Sequence, residues 1–214
     1  MANFSAIVLA AGDSKRMGRP KALLEWRGKF FVEHLCENLR LAGVEDRIVV
    51  IGKDSKTILS AWKPKGEKTA VNPRPDMGQI SSFRTGVEAA GDFAEGYMVC
   101  LVDQPMIKPE TYKQIINLWT ANKDCIVIPK YLKQVTSHKS QVTSLKSQTQ
   151  FKRGHPIIIP AVYRSLCFEG PLEKGLHWVT HHQSARIAEA EVEDKNILKD
   201  FDLPEDYEQL SSKT

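Results

Sequence analysis

The chain has 214 residues, with 30 Lys and Arg against 26 Asp and Glu for a formal net charge of +4, and 42% of its residues are apolar. At roughly 150 residues per domain this length suits one large domain or two small ones, with a core that needs no disulfide or metal staple. With 13 Gly, 11 Pro and 4 Cys, collagen-like, largely disordered and disulfide-scaffold classes are excluded, and a charge of +4 is too weak to argue for nucleic acid.

Met1 to Ser5 carry no basic patch, and the apolar run Ala6 to Ala11 is shorter than a signal or membrane segment. A cytoplasmic protein, neither exported nor anchored, is therefore expected. Phe4 to Ala10 reads as a first buried strand. Helix period follows at Phe31, Leu35, Leu39 and Ala42 with Gly43 as the stop, and Arg47 to Gly52 reads as a second strand. Ile80, Phe83, Val87 and Ala90 form another helical stripe closed by Gly91. Gly96 to Val102 is a third strand, and a helix with Pro109 in its first turn places Tyr112, Ile115, Ile116 and Trp119 inward. Ile126 to Ile128 is a fourth strand.

From Tyr131 to Phe151 the pattern gives way to Lys, Gln, Ser and Thr, including the near-identical heptads Val135 to Gln141 and Val142 to Gln148. Two copies are too few for a solenoid, so residues 131–151 read as a duplicated, mobile polar insertion. Pro156 to Pro160 resumes the core, a His-rich helical region follows, and Ala185 to Val192 alternates like a late edge strand. Strands alternating with helices, and no linker, predict one α/β domain over 1–214 with a mainly parallel sheet. The charges are unevenly placed. Between Asp124 and Glu169 there is no acid but seven Lys or Arg, and from Glu189 to Glu208 nine acids face two lysines. Both stretches read as solvated surface.

In open α/β sheets ligands sit at the carboxyl ends of strands, which directs attention to Ala10-Ala11-Gly12-Asp13-Ser14-Lys15-Arg16-Met17-Gly18-Arg19-Pro20-Lys21. Small residues admit a ligand to the backbone, and four cations within seven residues suit a triphosphate, although a plain basic turn would look similar. A P-loop does not fit, since five residues separate Gly12 from Gly18 and Arg19-Pro20 follows; Gly-x-Gly-x-x-Gly is absent. After the third strand, Asp103 in Leu101-Val102-Asp103-Gln104-Pro105 is either a divalent-metal ligand or a strand-closing turn residue. In Asp200-Phe201-Asp202-Leu203-Pro204-Glu205-Asp206, at most one of the two leading aspartates faces a site if the backbone is extended, and Asp202 also fits a helix N-cap. His177, His181 and His182 lack a third metal ligand with local spacing and suit a helix face. Cys36, Cys100, Cys125 and Cys167 lie far apart without Cys-x-x-Cys spacing and read as buried, reduced thiols.

The stretch Leu9 to Leu24 resembles the signature of the molybdenum cofactor branch of the nucleotidyltransferases, the MobA-like nucleotidyltransferase family, and more closely its cytidylyltransferases. Asn72-Pro73 with Gly78, Ser81-Ser82 and Gly86 resembles that family's Asn-Pro to Gly-x-x-Ser-Ser segment. Leu101 to Pro105 resembles its acidic metal loop, Arg153-Gly154-His155-Pro156 its Arg-Gly-His-Pro element, and Asp200 to Asp206 its closing Asp-x-Asp-x-Pro-Glu-Asp. The resemblance implies a single Rossmann-like three-layer domain of the nucleotide-diphospho-sugar transferase kind. It implies transfer of CMP from CTP to the phosphate of molybdopterin with release of pyrophosphate, dependent on Mg²⁺.

For matched positions it implies that Leu9, Ala10, Ala11, Gly12, Gly78 and Ser82 hold the nucleotide. Arg16 and Lys21 grip the triphosphate, Asp103 and Asp202 hold Mg²⁺, and His155 lies near the acceptor or is simply the turn residue before Pro156. Arg16, Lys21 and Asp103 are the expected catalytic set. Expected partners are CTP or GTP, molybdopterin and a molybdoenzyme of the xanthine dehydrogenase type, with no nucleic acid and no membrane. A guanylyltransferase, a cofactor-delivery chaperone without turnover, and an oxidoreductase, a label some members of the lineage carry, are the competing classes.

Overall fold

The computed structural model describes residues 3–135 and 148–211. In chain order its main elements are β1 (Phe4–Ala10), β2 (Glu25–Trp26), β3 (Lys29–Phe30), α1 (Phe31–Leu41), β4 (Asp46–Ile51), α2 (Ser55–Ala61), β5 (Lys68–Val71), α3 (Gln79–Ala90), β6 (Gly96–Leu101) and α4 (Pro109–Ala121). There follow β7 (Ile126–Val135), β8 (Gln148–Arg153), β9 (Ile157–Pro160), α5 (Arg164–Glu169), α6 (Gly175–Thr180), β10 (Ile187–Glu191) and α7 (Pro204–Ser211). The main sheet runs β10-β7-β9-β6-β1-β4-β5, with β8 paired to β7 off this path.

Every residue of β1 is buried because the strand lies between two parallel neighbours and is covered on both faces. The period of two divides it. Ala6, Val8 and Ala10 face a core with Val32, Leu35 and Leu39 of α1 and Tyr112, Ile115 and Trp119 of α4. Ile7 and Leu9 face Ile80, Phe83 and Val87 of α3, Cys167 of α5 and Val179 of α6. The result is one α/β domain of three layers with a mostly parallel sheet, as expected. At Gly86 an added Cβ would stand 2.2 Å from Ile7 Cγ2, so glycine there sets how closely α3 lies on β1.

The chain steps outward from β1 through β4 to β5, then returns to lay β6 on the other side of β1. This reversal opens a crevice beyond the carboxyl ends of β1 and β6, where the two leading motifs begin. The sheet is not wholly parallel: β9 runs antiparallel to β6 and β7, because the chain comes back from β8 directly into the gap between them. The expected insertion starts and finishes as strand, with Tyr131–Val135 of β7 paired to Gln148–Lys152 of β8. The duplicated heptads fall largely outside the described residues. The acidic and basic stretches read as solvated partly satisfy each other: Glu189 takes both Arg153 (2.6 Å) and Lys130 (3.2 Å), and Lys130 also reaches Glu191 at 3.1 Å. Among the described residues no helix is long and apolar enough to cross a membrane.

Candidate active site

A cavity of about 340 Å³ lies beyond the carboxyl ends of β1 and β6. One wall is the turn Leu9 to Ser14; another is Pro75, Gly78, Gln79 and Ser82 at the start of α3; the third is Leu101, Val102 and Asp103 after β6, with Lys21 between. Two further hollows share Asp13 with it, one of about 370 Å³ reaching Lys53 and Asp54 and a smaller, more open one reaching Gly18 and Arg19. The first turn of α3 thus presents the positive end of a twelve-residue helix to the cavity, an arrangement suited to an anion or a polar ring edge.

Ser14 organises the loop. Its carbonyl accepts from Met17 N (3.0 Å) and Gly18 N (3.1 Å), and its Oγ accepts from Lys21 N (3.0 Å). Gly18, at φ +67°, takes the left-handed conformation that reverses the chain toward Lys21. Lys21 then donates from Nζ to Asp103 Oδ2 at 2.7 Å and to Asp202 Oδ1 at 2.5 Å. Carboxylates from two distant stretches therefore converge on one point at the cavity.

What brings them together is a small apolar cluster of Leu24, Phe31, Phe201 and Leu210, with Phe201 edge-to-face on Phe31 at 5.4 Å. Phe201 N also donates to Asp103 O at 3.3 Å. Burying Phe201 leaves its neighbours different partners: Asp202 turns to Lys21, while Asp200 Oδ1 accepts from Gln104 Nε2 at 2.7 Å. The family model of the MobA-like NTP transferase domain matches residues 6–187.

The chain belongs to the MobA-like NTP transferase domain family.

It is 29% identical over 167 residues to the nicotine blue oxidoreductase of Paenarthrobacter nicotinovorans, covering 75% of this chain and 72% of that protein. It is 25% identical over 127 residues to the "Probable molybdenum cofactor guanylyltransferase" of Bacillus cereus, covering 59% of this chain and 62% of the relative, less than two thirds of its length. Among solved structures, Rv0371c of Mycobacterium tuberculosis superposes with a TM-score of 0.80 at 24% identity over 99% of this chain and 98% of that one. The same protein has been solved as a manganese complex, with a TM-score of 0.76 at 23% identity over the whole of both chains. Fold, family and nucleotidyltransferase character agree.

In this MobA-like domain the expected residues Leu9, Ala10, Ala11, Gly12, Lys21, Gly78, Ser82 and Asp103 all line the cavity. Asp202 joins them through Lys21. Arg16 does not line it: it sits exposed on the 3₁₀ turn Lys15–Met17 that Ser14 closes, although its charge helps lower the pKa of Asp202. Arg19 stacks over Tyr207 of α7 instead. His177 and His181 stack on each other at 3.6 Å, and among the described residues no group of three or more His, Cys, Asp or Glu could hold a metal. All four cysteines are free and buried, and burial pushes the Cys167 thiol up to about 12, so that group is not an activated nucleophile.

The electrostatics follow from burial. The side chain of Asp103 is 16% exposed, and desolvation raises its pKa despite Lys21. Asp202, half exposed, is held below its ordinary value by the Lys21 hydrogen bond. Burial pulls Lys21 down, but the two carboxylates together outweigh it and the net shift is upward. The pair of acids thus shares one ammonium, with the more solvated partner the more firmly ionised.

Several further residues position the site, some within the matched motifs, such as Asn72 and Gly154, and others, such as Ile197 and Asn38, without a sequence signal of their own. Ile197 O accepts from both His155 N (3.2 Å) and Gln104 Nε2 (3.3 Å), so one carbonyl ties the Arg-Gly-His-Pro turn to the acidic loop. Gly154 is required beside it, since a Cβ there would lie 2.1 Å from Ile197 O. Asn72 Nδ2 donates to Ser81 Oγ (2.8 Å) and Ser82 Oγ (3.0 Å), fixing the start of α3. Asn38 and Asn196 hold the carbonyls of Ile107 and Met106, and buried Asp194 accepts from Lys108 N and Thr111 Oγ1, which pins the loop after Asp103. Pro75 and Gln79 complete the wall.

His155 does not line the cavity. Its Nε2 is shielded from solvent without a partner among the described residues, and burial lowers its pKa to about 4, against a smaller opposing influence of Asp103. The folded protein then binds fewer protons than the unfolded chain between pH 4 and 6.5, so this residue makes stability rise with pH across that window, by about 3 kcal/mol. Urea denaturation of His155→Gln is expected to show a flatter stability profile there than the wild type. An unchanged profile would show that His155 titrates alike in both states.

Proposed function

We propose that the protein transfers CMP from CTP to the terminal phosphate of molybdopterin, releasing pyrophosphate. The observation that carries this reading is the convergence of Asp103 and Asp202 beside a cavity walled by the β1 turn and the start of α3. Leu9 to Gly12 with Gly78 and Ser82 enclose the base and ribose. Lys21, and Arg16 from its exposed turn, neutralise the β and γ phosphates and the departing pyrophosphate.

A Mg²⁺ or similar divalent ion fits the donor set, because such ions are commonly held by one or two carboxylates and substrate phosphates rather than by a full protein cage. Asp103 and Asp202 would hold it, and when bound it would withdraw charge from the phosphates. Rv0371c, which shares the fold, has been solved as a complex with manganese, and this favours a divalent ion as the cofactor of the reading. The acceptor phosphate attacks the α-phosphorus in line, its P–O bond forming as the bond to pyrophosphate breaks. No protein nucleophile is needed, and this chain's work is positioning and charge neutralisation. His155, neutral and outside the cavity lining, acts only by tying the Arg-Gly-His-Pro turn to the acidic loop through Ile197.

The Bacillus cereus relative favours GTP as a second reading with the same machinery. Pyrophosphate release with Mg²⁺, molybdopterin and a panel of nucleotides separates the two. We expect CTP to exceed GTP by at least about tenfold, a difference of about 1.4 kcal/mol in transition-state binding. Preference for GTP would transfer the assignment to a guanylyltransferase. Cofactor binding without pyrophosphate from any nucleotide would favour a delivery chaperone. The nicotine blue relative makes NAD(P)H oxidation a control, expected to be blank.

A further inference from the structure

We infer that Lys21 is a resident stand-in for the divalent cation, holding Asp103 and Asp202 together until a cation displaces it and frees its ammonium for the phosphates. The inference rests on the proposed nucleotidyl-transfer site and adds an order of events to it. Lys21 Nζ is bonded to Asp103 Oδ2 at 2.7 Å and Asp202 Oδ1 at 2.5 Å, so the two oxygens a cation would take are both engaged by one nitrogen.

The carboxylates are forced together by packing, since Phe201 is fully buried and its amide is bonded to the Asp103 carbonyl. Two acids brought this close repel unless a positive charge lies between them or one takes up a proton. An ammonium is well chosen for a removable charge. It is a compact point charge with three donors on a flexible four-carbon stem, whereas a guanidinium would lock a carboxylate in a planar fork. The Lys21 backbone stays fixed by Ser14 Oγ while the side chain swings. The same device restrains premature triphosphate binding, because Lys21 is committed to the acids while the cation is absent. Cation and triphosphate then favour one another's binding reciprocally.

Mn²⁺ binding to the full chain without nucleotide, followed by electron paramagnetic resonance, tests this in wild type, Lys21→Met, Arg16→Met and Asp103→Asn. If Lys21 occupies the acids in about 90% of molecules, its removal should tighten Mn²⁺ binding about tenfold. Arg16→Met removes one charge from the same loop without a bond to either carboxylate and should change affinity less than threefold. Equal or weaker binding by Lys21→Met, or an equal gain in Arg16→Met, overturns the inference and leaves the proposed reaction standing. Unaltered Mn²⁺ binding by Asp103→Asn overturns the metal assignment as well. Should Lys21→Met fail to fold, Lys21→Gln is read in its place. On the wild type, Mg²⁺ alone should speed acylation of Lys21 by acetic anhydride several-fold by mass spectrometry, and an unchanged rate overturns the inference.

Discussion

Asp103→Asn is expected to lower pyrophosphate release by a factor on the order of 10²–10³ while the protein stays folded, the magnitude typical of deleting one preorganised electrostatic group. The carboxylate lies where β6 ends, on the cavity wall and against Lys21. Asparagine keeps the shape and an acceptor for Lys21 but removes the charge that would face a divalent ion. Since Asp103 is desolvated and its ionised form is disfavoured, losing that charge should shift stability by no more than about 1 kcal/mol. Steady-state turnover beside a thermal melt makes the comparison. Full turnover at wild-type Mg²⁺ would remove Asp103 from the metal assignment, and a collapsed melt would make it structural.

Phe201→Ala should have the largest effect on stability, about 3–5 kcal/mol, because it empties a fully buried aromatic site among Leu24, Phe31 and Leu210. For a domain of this size that is a fall in melting temperature on the order of 10 °C. Turnover should fall too, since Phe201 fixes Asp202, and Leu24 of the same cluster follows closely on Lys21. Leu203→Ala, beside it in sequence but exposed, should stay within about 0.5 kcal/mol of wild type. Calorimetry of the two variants decides whether the cluster anchors the terminal acidic segment; equal melts would show that it does not.

How much of this was legible in the sequence depends on whether burial leaves a pattern. β1 is covered on both faces, so it reads as an unbroken apolar run, and the stripes of α1, α3 and α4 read from their period. β5 left no such mark. Lys68–Val71 is an edge strand, mostly exposed, and its direction and place come from pairing to β4. The antiparallel course of β9 was equally hidden, since direction within a sheet is a property of the return path and not of Ile157 to Pro160 themselves. Beyond Ile128 the strand continues through Pro129 to Val135 as a partner of β8, and polar composition masked it.

In the cavity wall, Gly12 and Asp103 stand out in the sequence because they follow closely on β1 and β6, and Lys21 because it ends the basic loop after Gly18. The two aspartates around Phe201 divide, one going to Lys21 and the other to Gln104. Ile197 was not readable, because it acts through a backbone carbonyl that any residue possesses. Arg16 shows the opposite case: a cation in the right loop that the Ser14 turn leaves exposed, away from the cavity lining.

The most direct measurement follows labelled phosphorus. CTP carrying the label at the α position, incubated with Mg²⁺ and molybdopterin, should yield a labelled molybdopterin product with wild type and almost none with Asp103→Asn, while label at the γ position should leave entirely as pyrophosphate. Label from the γ position in the molybdopterin product, or no transfer from the α position with CTP or GTP under any of these conditions, would contradict the account.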